Sequence, residues 1–121
     1  MSSMEVTFYD RGGAPVAYCE DAEHIYLFSG QPVAYIHGDA IYDFGGRHRG
    51  WFSDGWIRDT DGAAVMFTES CSGGPMAPMR QMRPMKSMKT MLPMKTMRTM
   101  ARMRPMNAMA WSSQSGPEFF A

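Results

Sequence analysis

The residues best equipped for chemistry in this sequence are its methionines and the cations between them. Methionine stands at 76, 79, 82, 85, 88, 91, 94, 97, 100, 103, 106 and 109, a period of three without a slip. Among them fall Arg80, Arg83, Lys86, Lys89, Lys95, Arg98, Arg102 and Arg104. Thioether is a soft ligand, so the spacing raises copper(I) binding. Against it, residues three apart in polyproline II stand about 9 Å apart, too far to share one ion easily. An adaptable apolar group alternating with cations suits a surface better. The eight cations are expected to contact an anion. Met79, Met82, Met85 and Met88, with Trp111, are expected to contact an apolar partner. The candidate partners are an anionic lipid surface, an apolar ligand, nucleic acid held nonspecifically by its phosphates, or the acidic remainder of the chain itself. Trp111 is the one aromatic of the methionine segment, thin support for base stacking. With Phe119 and Phe120 it could instead anchor at a membrane interface or in a partner's groove.

Catalysis finds little support. His24, His37 and His48 share no metal-ligand spacing, and no Ser-His-Asp set, phosphate loop or dinucleotide fingerprint occurs. We expect no enzyme activity and no cofactor. Cys19 and Cys71 fit no CxxC spacing; they read as two reduced thiols of a cytoplasmic protein, with a Cys19–Cys71 disulfide as the alternative.

The elements that carry these residues divide sharply. The 121-residue chain has a formal net charge of zero. Residues 1–70 nevertheless hold eleven acids against four bases, and residues 71–121 eight bases against one acid. Twelve of the fifteen aromatics fall in the first part and twelve of the fifteen methionines in the second. No apolar run approaches the roughly 18–20 residues of a spanning helix, and Met1–Glu5 shows no leader pattern. The expected location is the cytoplasm, with peripheral attachment to a membrane.

The first part is a fourfold repeat. Gly13, Gly30, Gly46 and Gly62 are spaced 17, 16 and 16. Five residues before each stands Phe8, Ile25, Ile41 or Ile57; five after stands Tyr18, Tyr35, Trp51 or Phe67. Each copy reads as a β-hairpin whose turn wants a glycine with positive φ. Asp10, Asp43 and Asp59 suit the turn start, where a carboxylate bonds nearby amides. The predicted strands are 6–10, 16–20, 25–28, 33–37, 40–44, 50–53, 56–59 and 64–69. Arg47-His48-Arg49 replaces the Pro-Val pattern of the first two copies. It reads as a solvated loop, or as a phosphate or headgroup contact.

A single hairpin of this size is unstable in water, but four can close on each other and remove their exposed edges. The fold class is therefore all-β: a small pseudo-fourfold closed barrel of four β-hairpins, an eight-strand meander, with a basic Met-rich low-complexity C-terminal tail. The Ile/Phe and aromatic columns are its core and wall. Such a barrel is just wide enough to fill with side chains or hold one small ligand. The run IYLFSGQPVAYIHGDAIYDFGGRHRGWFSDGWIRDTDG, its four copies, and the following GGP with a triplet tail ending Ala-Trp-Ser-Ser resemble the bacterial four-fold β-flower family. The resemblance implies a shallow, square barrel with an apolar inner surface, and it brings no activity and no site residue.

The domains expected are 1–72, the barrel, and 73–121, the tail. In an α-helix a period of three spirals around every face. In polyproline II all twelve methionines lie on one edge, and Pro75, Pro78, Pro84, Pro93 and Pro105 favour that conformation. The tail is expected to be a solvated chain with polyproline II character; a short helix over 94–104 and a docked rod are the alternatives. The function expected is a non-enzymatic binding or scaffold module, associating with an anionic membrane or an apolar ligand. The alternative is a polyanion- or protein-binding module that uses the basic tail.

Overall fold

The computed structural model describes residues 5–120. The N-terminal run inspected for a leader lies mostly outside them, as residues 1–4. Eight strands follow in order: β1 (Val6–Tyr9), β2 (Pro15–Cys19), β3 (His24–Leu27), β4 (Pro32–His37), β5 (Ala40–Tyr42), β6 (His48–Ser53), β7 (Trp56–Asp59) and β8 (Ala64–Phe67). Each pairs antiparallel with the next, and Tyr9 opposite Phe67 closes the barrel.

The four copies repeat down to single bonds. The amides of Gly13, Gly30, Gly46 and Gly62 donate to the carbonyls of Asp10, Leu27, Asp43 and Asp59 at 2.9–3.0 Å. The four glycines hold φ of 87°, 95°, 87° and 86°, a region closed to most side chains. One Oδ1 each of Asp10 and Asp59 accepts two turn amides, and Asp43 Oδ1 accepts that of Arg47. A register shift follows Phe8, Ile25, Ile41 and Ile57, one in each hairpin. Such bulges sharpen the twist that bends a meander into a closed wall.

Alternation along the strands separates the two apolar columns. Phe8, Ile25, Ile41 and Ile57 point inward and pack with Ala17, Ala34 and Met66. The aromatic column points outward. Tyr18, Tyr35, Trp51 and Phe67 belong to three separate outer clusters, joined there by Tyr9, Tyr26, Tyr42 and Trp56. These outer aromatics are nevertheless buried, because the tail covers them.

Residues 76–108 are neither helix nor strand, and no helix forms over 94–104. Where the sequence suggests solvated chain, the structure lays the segment along the barrel. The amides of Gln81, Thr90, Thr99 and Ala108 donate to the carbonyls of Gly13, Gly30, Gly46 and Gly62 at 2.8–3.1 Å. Ser87 and Thr96 donate likewise to Phe28 and Phe44. Successive corners of the barrel are thus met every nine residues, three methionine triplets apart.

The end of the chain completes the core. The short helix α1 (Gly116–Phe119) starts in a reciprocal cap between Ser115 and Glu118, with Pro117 in its first turn. It delivers Phe119, 1 % exposed, to the cluster of Phe8, Ile25, Ile41 and Ile57. Phe119 enters at the hairpin-turn end, its ring tip against Gly50. The expected division at residue 72 therefore does not divide cores, and Phe119 is a plug of the barrel rather than an anchor for something outside it. Cys19 and Cys71 are free thiols.

A methionine belt as the candidate functional site

The belt triplets sort their residues by direction. In six of them the third residue, Gln81, Ser87, Thr90, Thr96, Thr99 or Ala108, gives its backbone amide to the barrel. These side chains are small or polar and allow close approach. The glycines opposite them are necessary on both counts of geometry. A Cβ on Gly13, Gly30, Gly46 or Gly62 would overlap the carbonyl oxygen of Met79, Met88, Met97 or Met106 respectively.

In five triplets the second residue is a cation that lies on the aromatic wall. Lys86 Nζ stands 4.5 Å from the ring centre of Tyr18, and Lys95 Nζ 4.4 Å from that of Tyr35. Arg104 lies 6.0 Å from Trp51. Lys89 covers Tyr26 at 5.0 Å and Arg98 covers Tyr42 at 5.9 Å. Each cation–π contact contributes about 0.5–1 kcal/mol where exposed and more where desolvated. Beyond the rings the same cations reach carboxylates. Lys86 pairs with Glu5 and with Glu20 at 2.8 Å, Lys89 with Glu20, Lys95 with Glu23, and Arg104 with Asp39 at 2.9 Å. Hydrogen bonds from Lys86 and Lys89 hold the Glu20 carboxyl below its ordinary pKa, and the bond from Lys95 does so for Glu23.

At the fourth corner the pattern changes chemistry. Arg58 takes the tyrosine position and is 1 % exposed. Its Nη1 donates to the carbonyls of Gly62 and Ala108 at 2.7 Å, and Nη2 to that of Gly73 at 3.2 Å. Tyr42 Oη makes the matching bond to the Thr99 carbonyl one corner earlier, at 3.0 Å. Trp111, expected to meet an outside partner, instead packs edge-on against Trp56 and Phe67.

The first residue of every triplet is methionine, and it points away from the protein. Eleven of the twelve are 89–94 % exposed, and Met109 is 68 % exposed. Met79, Met82, Met85 and Met88 lie in this row. Of the eight expected anion contacts, Lys86, Lys89, Lys95 and Arg104 are engaged by barrel carboxylates, and Arg83 stands 3.8 Å from Glu5. Arg80, Arg98 and Arg102 have no carboxylate partner among the described residues. The nine-residue spacing of Lys86, Lys95 and Arg104, and of Gln81, Thr90, Thr99 and Ala108, is the signal that a reading by triplets passes over.

The open end of the barrel, away from Phe119, holds a second feature. A cavity of about 260 Å³ is lined by Val6, Phe8, Cys19, Ala22, Ile36 and Phe52. Burial raises the pKa of the Cys19 thiol. No group of His, Cys, Asp and Glu able to hold a metal ion occurs among the described residues. Among them, too, no helix is long and apolar enough to cross a membrane.

A closed eight-strand antiparallel barrel of four like hairpins defines the class. The chain belongs to the 4-fold beta flower protein family, whose model matches residues 6–120, the tail and plug included. No curated protein and no solved structure matched the chain.

Proposed function

We propose that the protein is a non-enzymatic binding or scaffold module that engages an apolar surface through its methionine belt, with a lipid bilayer as the surface it meets. The observation behind this reading is the outward row of twelve exposed thioethers on a chain whose other residues make the bonds to the barrel. Twelve exposed methionines in one row are more than the singly scattered apolar residues of an ordinary surface. Each methionine covered on binding contributes about 1.5–3 kcal/mol, before the cost of association. Because half of the belt cations already face barrel carboxylates, lipid charge adds less than the sequence suggests. The second reading, binding of a polyanion, rests on Arg80, Arg98 and Arg102. Three free charges correspond to a salt slope of only about −3.

Vesicle flotation tests the proposal. The protein is expected to float with neutral phosphatidylcholine vesicles nearly as well as with anionic ones. Replacing the twelve belt methionines with glutamine should leave the melting temperature within about 3 °C and weaken flotation at least tenfold, about 1.4 kcal/mol. A glutamine variant that floats like the unmodified chain would remove the belt from the account. No flotation with either vesicle would remove the lipid.

A further inference from the structure

The fourfold pattern changes at the third corner in both the barrel and the belt, as it does differently at the fourth with Ala64 and Trp111, and the two departures of the third corner meet. Two residues beyond the turn glycine stand Pro15 and Pro32 in the first two hairpins, but His48 in the third. Three residues beyond each docked belt residue stand Pro84 and Pro93, then Arg102 at the same nine-residue step. The Arg102 amide donates to His48 Nδ1 at 3.3 Å. Proline at 102 lacks that donor, and proline at 48 lacks that acceptor. Two departures 54 residues apart thus form one contact.

Around it lies a polar cavity of about 250 Å³, lined by Arg47, Arg49, Thr60, Arg102 and Gln114 beside His48, with Phe119 also on its wall. The volume is below that of drug-sized sites and suits a small ligand. Arg49 is held in place: its Nε donates to Asp43 Oδ2 at 3.0 Å, and its Nη2 stands at the same distance from that oxygen. The two N–H donors of Nη1 are not used by this carboxylate. Arg47 Nε stands 3.8 Å from the same carboxylate oxygen. Three guanidinium groups face Asp43 and, across the corner, Asp59, which leaves a charge of about +1, and guanidinium forks match the tetrahedral oxygens of phosphate. The opposite wall is fixed too, since Ser112 Oγ donates to Asp59 at 2.5 Å and accepts the Gln114 amide at 3.1 Å. His48 sits edge-on to Trp51 at 4.6 Å, and its Nε2 is buried without a hydrogen-bond partner among the described residues.

We propose that this corner binds a phosphate dianion, free or as a lipid phosphomonoester, between Arg47, Arg49 and Arg102. The site takes Arg102 from the belt but none of its methionines, and it does not depend on what the methionines bind. It converts one corner of a symmetric module into an address for one charged group.

The repeat supplies the test variant. Arg102→Pro restores the residue that the first two belt units carry, so it keeps the extended backbone and is expected to fold. Calorimetric titration of the full chain with inorganic phosphate should show saturable one-site binding, reversed by sulfate. Arg102→Pro and Arg49→Gln should each weaken it at least tenfold with the melting temperature nearly unchanged. The belt methionine-to-glutamine variant should bind phosphate as well as the unmodified chain. A flotation arm separates the sources. If the anion is a lipid headgroup, phosphatidate in neutral vesicles should strengthen flotation, and Arg102→Pro should cancel that gain alone. If it is free phosphate, only the titration should respond. Absence of saturable phosphate binding, or equal binding by folded Arg102→Pro, would overturn the proposal.

Discussion

Replacing Phe119 with alanine is expected to destabilise the whole barrel by about 3–5 kcal/mol, the usual range for emptying a fully buried phenylalanine site. The residue lies more than fifty positions beyond β8, in a helix of four residues, and would pass for part of a disordered end. Yet its ring fills the hairpin-turn end of the barrel and touches the Phe8 and Ile25 column. The surrounding wall is hydrogen-bonded strand, with little freedom to collapse into the space. At this chain length each kcal/mol moves the melting temperature by roughly 4 °C or more, so a fall above 12 °C is expected. Chemical denaturation followed by tryptophan fluorescence measures it. Phe120→Ala serves as the comparison, because Phe120 only packs at the margin of the core and should cost less. Equal, small effects from both would mean that the C-terminal helix does not plug the barrel.

Gly30→Ala should cost at least about 2–3 kcal/mol, although alanine is the smallest substitution available. Two causes add. The backbone at φ 95° is strained for any residue with a Cβ, by roughly 1–2 kcal/mol. That Cβ would also overlap the Met88 carbonyl, so the belt must lift and lose the bond from the Thr90 amide to the Gly30 carbonyl, about 1 kcal/mol. Gly38→Ala separates the causes. Gly38 has φ 67° but no atom within 4 Å of its would-be Cβ, so it should show the strain alone. A Gly30 variant no less stable than the Gly38 variant would argue that the belt does not bear on the turn.

What the sequence makes legible follows from where each interaction is encoded. The hairpins are legible because strand pairing of this kind repeats side-chain types: Ile or Phe inside, an aromatic outside, glycine at a turn that other residues resist. The period of three correctly separates methionine from the other positions, because any extended three-residue turn does so. The docking of the belt is harder to read. Its bonds join backbone amides to backbone carbonyls, and such bonds leave only a weak trace in side chains, here the small or polar third residue of six triplets. The glycines were explicable by turn geometry alone, which hid their second duty of admitting the Met79, Met88, Met97 and Met106 carbonyls. The cations look free in a list of charges. Lys86, Lys89, Lys95 and Arg98 lie over tyrosines whose outward direction becomes plain only once the strand alternation is fixed. Trp111 and Phe119 were unreadable for a different reason. Each has its partners far away in sequence, Trp56 and Phe67 for the first and the Phe8 column for the second, and neither lies within a repeat.

The docked belt is the centre of the account, and hydrogen exchange of its backbone amides tests it most directly. Exchange read residue by residue should be slowed at least about tenfold at Gln81, Ser87, Thr90, Thr96, Thr99 and Ala108, whose amides donate to barrel carbonyls. The methionine amides between them, which make no bond to the barrel, should exchange near the rate of an open chain. Uniform fast exchange from residue 76 to 108 would contradict the belt, and with it the outward ordering of the methionines.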